Sequence, residues 1–412
     1  MANILVIGIN YSPEPTGSAP YTSGLAEMLA ECGHNVEALV GIPHYPWWKV
    51  LPADKLRLRY REVRNKVLVR HFRHFVPSKQ TMITRIAWEL TFLLNVAVSR
   101  TKFRPDLVIC STPSLSGGLL GVFFSKKFHV PLITFVQDVV GQAVTQSGLG
   151  VNAKVGGLVT KLEQKVFSSS NLVCVVSPNF SQYVSKSGLS PDRIVTFPNW
   201  SHIGLPTKSK ILARRDFGWP DEQIIILHTG NMGLKQDLGN VIETAILFAE
   251  NTLFKFVLCG DGNQKEQLLE LASGVSAISY MKPVSEEEYP NLLQAADILI
   301  VNERNTVGDM SLPSKLTSYL TVGNPIVAAV ALNGACAQEL SQTDGAAIIV
   351  PAGNPERLAS AIIELAKDPK RMDQMSQAAQ TYAARNLSQD SAKSKIKKIV
   401  DALLSLEKPQ VI

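Results

Sequence analysis

The sequence predicts an α/β protein made of two Rossmann-like domains, each a doubly wound parallel sheet. Three observations predict it. The chain has 412 residues, too many for one hydrophobic core. Short continuous apolar runs alternate with amphipathic stretches in both halves, as when strands are covered on both faces by crossover helices. Between the halves, residues 204–219 lose that rhythm and gain Pro, Gly, Lys and Arg. We read 1–203 as the first domain, 204–219 as a linker, 220–387 as the second domain and 388–412 as a terminal segment.

Composition narrows the class. A hydrophobic share of 45% and a charged share of 18% belong to a folded chain. The five cysteines, Cys32, Cys110, Cys174, Cys259 and Cys336, are scattered and odd in number. That argues for reduced thiols in the cytoplasm, and against a disulfide framework or a zinc site. The opening MANILVIGINYSPEP has no basic leader, so no signal peptide is expected. No run reaches the roughly 20 apolar residues that span a bilayer.

The first element is a strand over residues 3–9, which breaks at Asn10 to Gly17. A helix follows with Tyr21, Leu25, Met28 and Leu29 on one face and Gly33 as its stop; residues 35–40 make the next strand. In such a β–loop–α–β unit, ligands sit beyond the strand's C-terminal end. Gly17 either leaves room there for a phosphate or is a plain turn glycine. The loop is not GxGxxG, which leaves a dinucleotide cofactor without support. His44, Tyr45 and Trp47 lie in the loop after the second strand, which reads as a carbohydrate acceptor surface or as a loop packed on its own core.

Positive charge is concentrated between positions 55 and 104. Thirteen Lys and Arg there face only Glu62 and Glu89. Within the same region, residues 82–99 are apolar nearly all round and include Trp88 and Phe92. A basic rim around an apolar, Trp-containing helix suits peripheral contact with an anionic membrane; the alternative is a core helix with a solvated basic neighbour. Nucleic acid is not expected, since it would not explain the apolar helix and no nucleic-acid motif is present. Strands at 107–110, 132–136 and 172–176 complete the half, alternating with helices. Asp138 stands just past the second of these, where binding and catalytic groups collect.

The second half repeats the scheme. Strand 224–228 leads into a loop carrying Gly230, Asn231, Gly233, Lys235 and Gln236, and a helix begins near Leu238. Strands at 254–258, 277–280 and 298–301 alternate with helices at 265–272 and 286–296, and Lys282-Pro283-Val284 follows the middle strand. Then comes GDMSLPSKLTSYLTVGNP, residues 308–325. Here Leu316, Tyr319 and Leu320 make a buried helical face, Ser311 or Ser314 caps it and Gly323 ends it. Lys315 in the first turn lies beside free backbone N–H groups and the positive end of the helix dipole, which suits a phosphate. Gly230 and Gly233 with Lys235 form a second such cradle. No Asp-x-Asp occurs in the chain, which favours a diphosphate held by lysines over one held by a metal. Two domains whose strand ends face each other would place Gly17, Gly230 and Lys315 along one cleft.

The succession GINYSPEPTGSAPYTSGLAEMLAECGHNVEALVG, HYPWW, FVQDVV, CVVSPNF, FPNW, HTGNMGLKQDL, LCGDG and LPSKLTSYLTVGNPIV resembles the retaining GT-B glycosyltransferases of family 4. It is similar in particular to the bacterial subgroup that builds exopolysaccharide and O-antigen units, colanic-acid-type enzymes included. The resemblance implies a GT-B fold and a nucleotide-diphosphate-sugar donor, UDP or GDP, in the second domain. It also implies an acceptor in the first domain and a tail helix near 388–404 that crosses back to that domain. It would place Gly17 against the donor phosphates with Lys235 and Lys315 as counter-charges, Val284 near the base, and Asp138 near the sugar and acceptor. The family's two glutamates fall here on Met310 and Ser318. Asp309 would stand in for the first and Ser318 would hold the ribose, while Asn231 and Gln236 replace the usual Arg and Lys.

The resulting expectation is a retaining transferase. Its catalytic candidates are Asp138, Asp309 and Lys315. Gly17, Gly230, Asn231, Lys235, Val284, Ser314, Lys315 and Ser318 would bind the donor, and His44, Tyr45 and Trp47 the acceptor. No cofactor or metal is expected. A polyprenyl-diphosphate-linked acceptor at the cytoplasmic face of the inner membrane would give the basic, apolar region its purpose. Two rivals remain: a sugar-nucleotide 2-epimerase on the same fold, and a non-catalytic nucleotide-sugar-binding scaffold.

Overall fold

The computed structural model describes residues 1–15, 17–79, 81–139, 153–307 and 314–406. These residues form two compact units: Met1–Asn199 together with the chain from Ala392 onward, and Trp200–Ser391.

The sheet of the first unit runs β3-β4-β2-β1-β5-β6-β7-β8. Its strands are β1 (Asn3–Gly8), β2 (Asn35–Gly41), β3 (Arg59–Arg64), β4 (Val67–Phe72), β5 (Leu107–Thr112), β6 (Leu132–Val136), β7 (Leu172–Val175) and β8 (Ile194–Thr196). All neighbours are parallel except β3, which returns antiparallel on β4 as a hairpin at the sheet edge. This edge adds an antiparallel strand to the expected parallel sheet. Arg59, Arg61, Glu62 and Arg64 hid the strand, because an edge strand needs no apolar run and gains from charge that blocks further pairing.

The helix Met82–Ala97 begins with reciprocal bonds between Thr81 and Thr84. It buries Trp88, Phe92 and Val96, while Ile83, Ile86, Leu90 and Leu94 are exposed along the other face. One face of this segment is core and the other is apolar surface. The helix Gln389–Leu406 buries Ala392, Ile396 and Val400 in the first unit, with Lys393 paired to Glu31 at 2.6 Å.

The second sheet runs β11-β10-β9-β12-β13-β14 and all its pairs are parallel. Its strands are β9 (Ile224–Asn231), β10 (Phe254–Asp261), β11 (Ile278–Met281), β12 (Ile298–Asn302), β13 (Ile326–Val330) and β14 (Ala347–Pro351). One expectation is corrected here. Part of the 204–219 linker is the helix Lys210–Phe217, folded into the second unit. It buries only Ala213 and Arg214, which is why it shows no apolar rhythm. What anchors it is charge. Arg214 donates to the Ala295 carbonyl at 3.0 Å and pairs with Asp297, whose carboxylate also takes the Ile225 N–H at 2.7 Å.

Candidate active site

Because every pair in the second sheet is parallel, the strands' C-terminal ends share one edge. There β9 and β10 pair glycine to glycine, Gly230 opposite Gly260. A Cβ on Gly260 would overlap the Gly230 carbonyl, and Gly230 itself sits at φ +108°. The two glycines let the strand ends close up and turn into the loop that follows. Asn302, at the end of β12, donates to the carbonyls of Gln236 and Asp237 at 2.9 Å each and accepts from Asn240. Arg304 N–H adds a bond to the Lys235 carbonyl. The loop carrying Lys235 is thus pinned to the end of β12.

Lys315, in the first turn of the helix Ser314–Val322, reaches into this edge. Its ammonium lies 3.0 Å from His228 Nε2 and 3.6 Å from where a Gly230 side chain would begin. His228 is fully buried, and burial with Lys315 beside it holds its basicity well below the ordinary range. It therefore accepts a proton bond from Lys315. Burial pushes Lys315 down to about 7, opposed by the charge of Glu303. Glu303, the first residue after β12, is raised to about 7 by burial, against the pull of Lys315 and Lys235. An amine and a carboxyl are thus poised to change charge near neutrality, which makes the group sensitive to an incoming anion.

Tyr319 and Tyr289 secure the floor. Tyr319 accepts the Thr229 N–H at 2.9 Å, and the Tyr289 hydroxyl lies 2.9 Å from Thr229 Oγ1. Ser318 corrects an expectation. It is 4% exposed and bonds to Tyr289, so it braces this network and presents no free hydroxyl to a ribose. Asn231 bonds to Gln236, which also accepts the Gly233 N–H; the pair shapes the loop. Val284 follows β11 and packs partly on the core. Asp309 lies outside the described residues, as does the side chain of Ser314.

In the first unit, Glu14 joins the loops after β1 and β2. Its carboxylate accepts the N–H groups of His44 and Tyr45 at 2.7 and 2.9 Å, and Asn10 Nδ2 at 2.7 Å. Gly17 sits at φ +72°, and a side chain there would press on the Tyr45 ring. Of the three aromatic candidates, Trp47 is exposed and Tyr45 half-buried. His44 is corrected: its ring has no exposed surface, Nδ1 bonds to the Ile42 carbonyl and Nε2 takes the Trp88 indole N–H at 3.1 Å. It holds the loop after β2 and presents no surface to a ligand. His74 stacks edge-on against it and is pushed down to about 3, chiefly by burial. Asp138, two residues past β6, is half-buried and accepts the N–H of Val139 at 2.9 Å.

Glu303, His228, Glu14 and Asn302 were missed from sequence. A signal existed for Glu303: like Asp138, it is an acidic residue close after the end of a buried strand. His228 inside an apolar strand and Glu14 in a proline turn carried none.

Two Rossmann-like units built on parallel sheets are the architecture of the GT-B glycosyltransferases. The chain belongs to that family: the Glycosyl transferase 4-like domain matches residues 16–200 and Glycosyl transferases group 1 matches residues 209–382. Among curated relatives it is similar to an Escherichia coli K12 protein named as a colanic acid biosynthesis glycosyl transferase, WcaI. The two are 28% identical over 94% of this chain and 97% of the relative. In fold it is similar to sucrose-phosphate synthase from Thermosynechococcus elongatus, with TM-score 0.75, 15% identity and coverage of 99% of this chain and 100% of that one. HepE from Anabaena, solved with UDP-glucose, has TM-score 0.69 and 16% identity, covering 98% and 100%.

Proposed function

We propose that this glycosyltransferase moves a sugar from a nucleoside-diphosphate donor, UDP or GDP, to a saccharide carried on polyprenyl diphosphate, with retention and without a metal. Its place would be bacterial exopolysaccharide or O-antigen assembly at the cytoplasmic face of the inner membrane. The observation that carries the donor reading is the meeting of Lys315, His228 and Gly230 at one strand edge beside the loop of Lys235. As the C1–O bond to the leaving phosphate breaks, charge grows on the diphosphate, and two ammonium groups offset it. In a front-face transfer the acceptor oxygen bonds to C1 while its proton passes to the leaving phosphate oxygen, so no side-chain nucleophile is required. The UDP-glucose complex of the similar fold and the name of the Escherichia coli relative support this reading. The exposed stripe Ile83, Ile86, Leu90 and Leu94 among basic residues supports a membrane-borne acceptor. No helix among the described residues is long and apolar enough to cross a membrane.

A thermal-shift panel with UDP, GDP, dTDP, ADP and CMP, with and without Mg²⁺, tests the proposal. A nucleotide at 100 times its Kd should add about 2.7 kcal/mol. One magnesium-independent hit, with turnover lost in Asp138→Ala while nucleotide binding survives, is expected. No hit, or a hit that requires magnesium, overturns the lysine-held donor. Binding with turnover absent in the parent and unchanged by Asp138→Ala favours the scaffold.

A further inference from the structure

The β3–β4 hairpin carries a feature that donor and acceptor binding leave unused. In its register Arg61 lies directly opposite Arg70, two like charges where a sheet ordinarily pairs opposites. With Arg59, Arg100 and Lys102 they line a cavity of about 460 Å³. Carboxylates answer only part of this charge. Glu37 holds Arg70 at 2.9 Å and takes the backbone N–H of Lys102, and Glu62 turns away to His71. Among the described residues no carboxylate pairs with the side chains of Arg61, Arg100 or Lys102. The rim is pre-set. Arg59 is fixed by bonds to the side chain and the carbonyl of Asn95, and Arg70 donates to the Arg100 carbonyl.

Asn95 is the neighbour of Leu94, the last residue of the exposed apolar stripe, and Val98, one turn further, is also exposed. A cationic cavity therefore adjoins an apolar surface. Five cations around a pocket of this size complement a phosphate, and the adjacent stripe complements the acyl region beneath one.

We propose that this cavity binds the phosphate headgroup of an anionic lipid, fixing the orientation of the first unit on the membrane. The proposal rests on the membrane contact argued above, and adds to it a defined site.

The test uses the full chain with vesicles of phosphatidylcholine alone or with one quarter phosphatidylglycerol, at low salt. The parent is expected to sediment with the anionic vesicles. Arg61→Ala/Arg100→Ala should lower partitioning about thirtyfold, since each surface cation contributes roughly fivefold. Lys370→Ala/Arg371→Ala, the same charge change in the second unit, should leave it nearly unaltered. Both pairs are exposed, and matching melting curves exclude unfolding. Equal losses from the two pairs would overturn the site, leaving only diffuse charge. A second arm titrates inorganic phosphate and glycerol phosphate by calorimetry. Tight, Arg61-dependent binding of these soluble ions, with no effect of Arg61 and Arg100 on vesicles, would assign the cavity to a free phosphate and overturn the lipid headgroup. A parent that ignores both vesicle types removes the membrane contact itself. That failure is separable, because Leu90→Ser/Leu94→Ser tests the stripe without touching the cavity.

Discussion

Replacing Lys315 with methionine should make the free protein more stable while it loses the donor. Bringing an amine from 10.5 to about 7 means that the folded state disfavours its charge by about 5 kcal/mol. Methionine keeps the length and volume of the side chain and removes that cost. The attraction of Glu303 is already contained in that value. Part of the gain is lost, because His228 loses its partner on Nε2. A net stabilisation of roughly 2 kcal/mol at pH 7 remains. The sign follows from a lysine whose folded value lies below its unfolded one. Its cost is fully present below pH 7, shrinks as pH rises towards 10.5 and vanishes above that. Urea unfolding of parent and Lys315→Met without nucleotide, at pH 7 and near 10.5, measures the difference. The gap should close at the higher pH. A variant less stable than the parent at pH 7, or a gap independent of pH, would refute the reasoning. Either result would mean that the amine is a structural partner of His228 and not a charge held ready for an anion.

Two further outcomes follow from the same edge. Nucleotide diphosphate should bind more weakly as pH rises from 7 to 8.5, since Lys315 loses its proton and Glu303 becomes charged over that interval. Each proton taken up on binding allows at most about tenfold per pH unit. Calorimetry should find proton uptake in the parent and a smaller pH dependence in Lys315→Met; an affinity flat with pH would reject the poised pair. Asn302→Ala leaves the carbonyls of Gln236 and Asp237 without their donor. It should cost about 1–3 kcal/mol in denaturant unfolding and weaken nucleotide binding. An unchanged nucleotide Kd would show that the Lys235 loop needs no pinning.

Much of the architecture was legible because it is local. Continuous apolar runs marked the central strands, and the spacing of Leu316, Tyr319 and Leu320 marked the helix behind Lys315. Those readings depend on periodicity within a few residues, which a strand or helix imposes on its own sequence. Charge-rich elements escaped. The β3 edge is held by the backbone ladder of its hairpin with β4, and the helix Lys210–Phe217 by hydrogen bonds and ion pairs to distant partners; neither needs an apolar face.

The sequence by itself determined the two series of strands and helices, the glycines at the strand ends and the lysine at a helix start. It also determined the apolar segment set in basic surroundings. The tertiary structure alone decided what those groups meet. Lys315 lies against His228 across 87 positions, Glu14 fastens a loop 30 positions away, and Ser318 and His44 turn inward, each within its own unit. A side chain's charge state and accessibility are set by burial and by neighbours brought together when strands pair, and no local pattern encodes those neighbours.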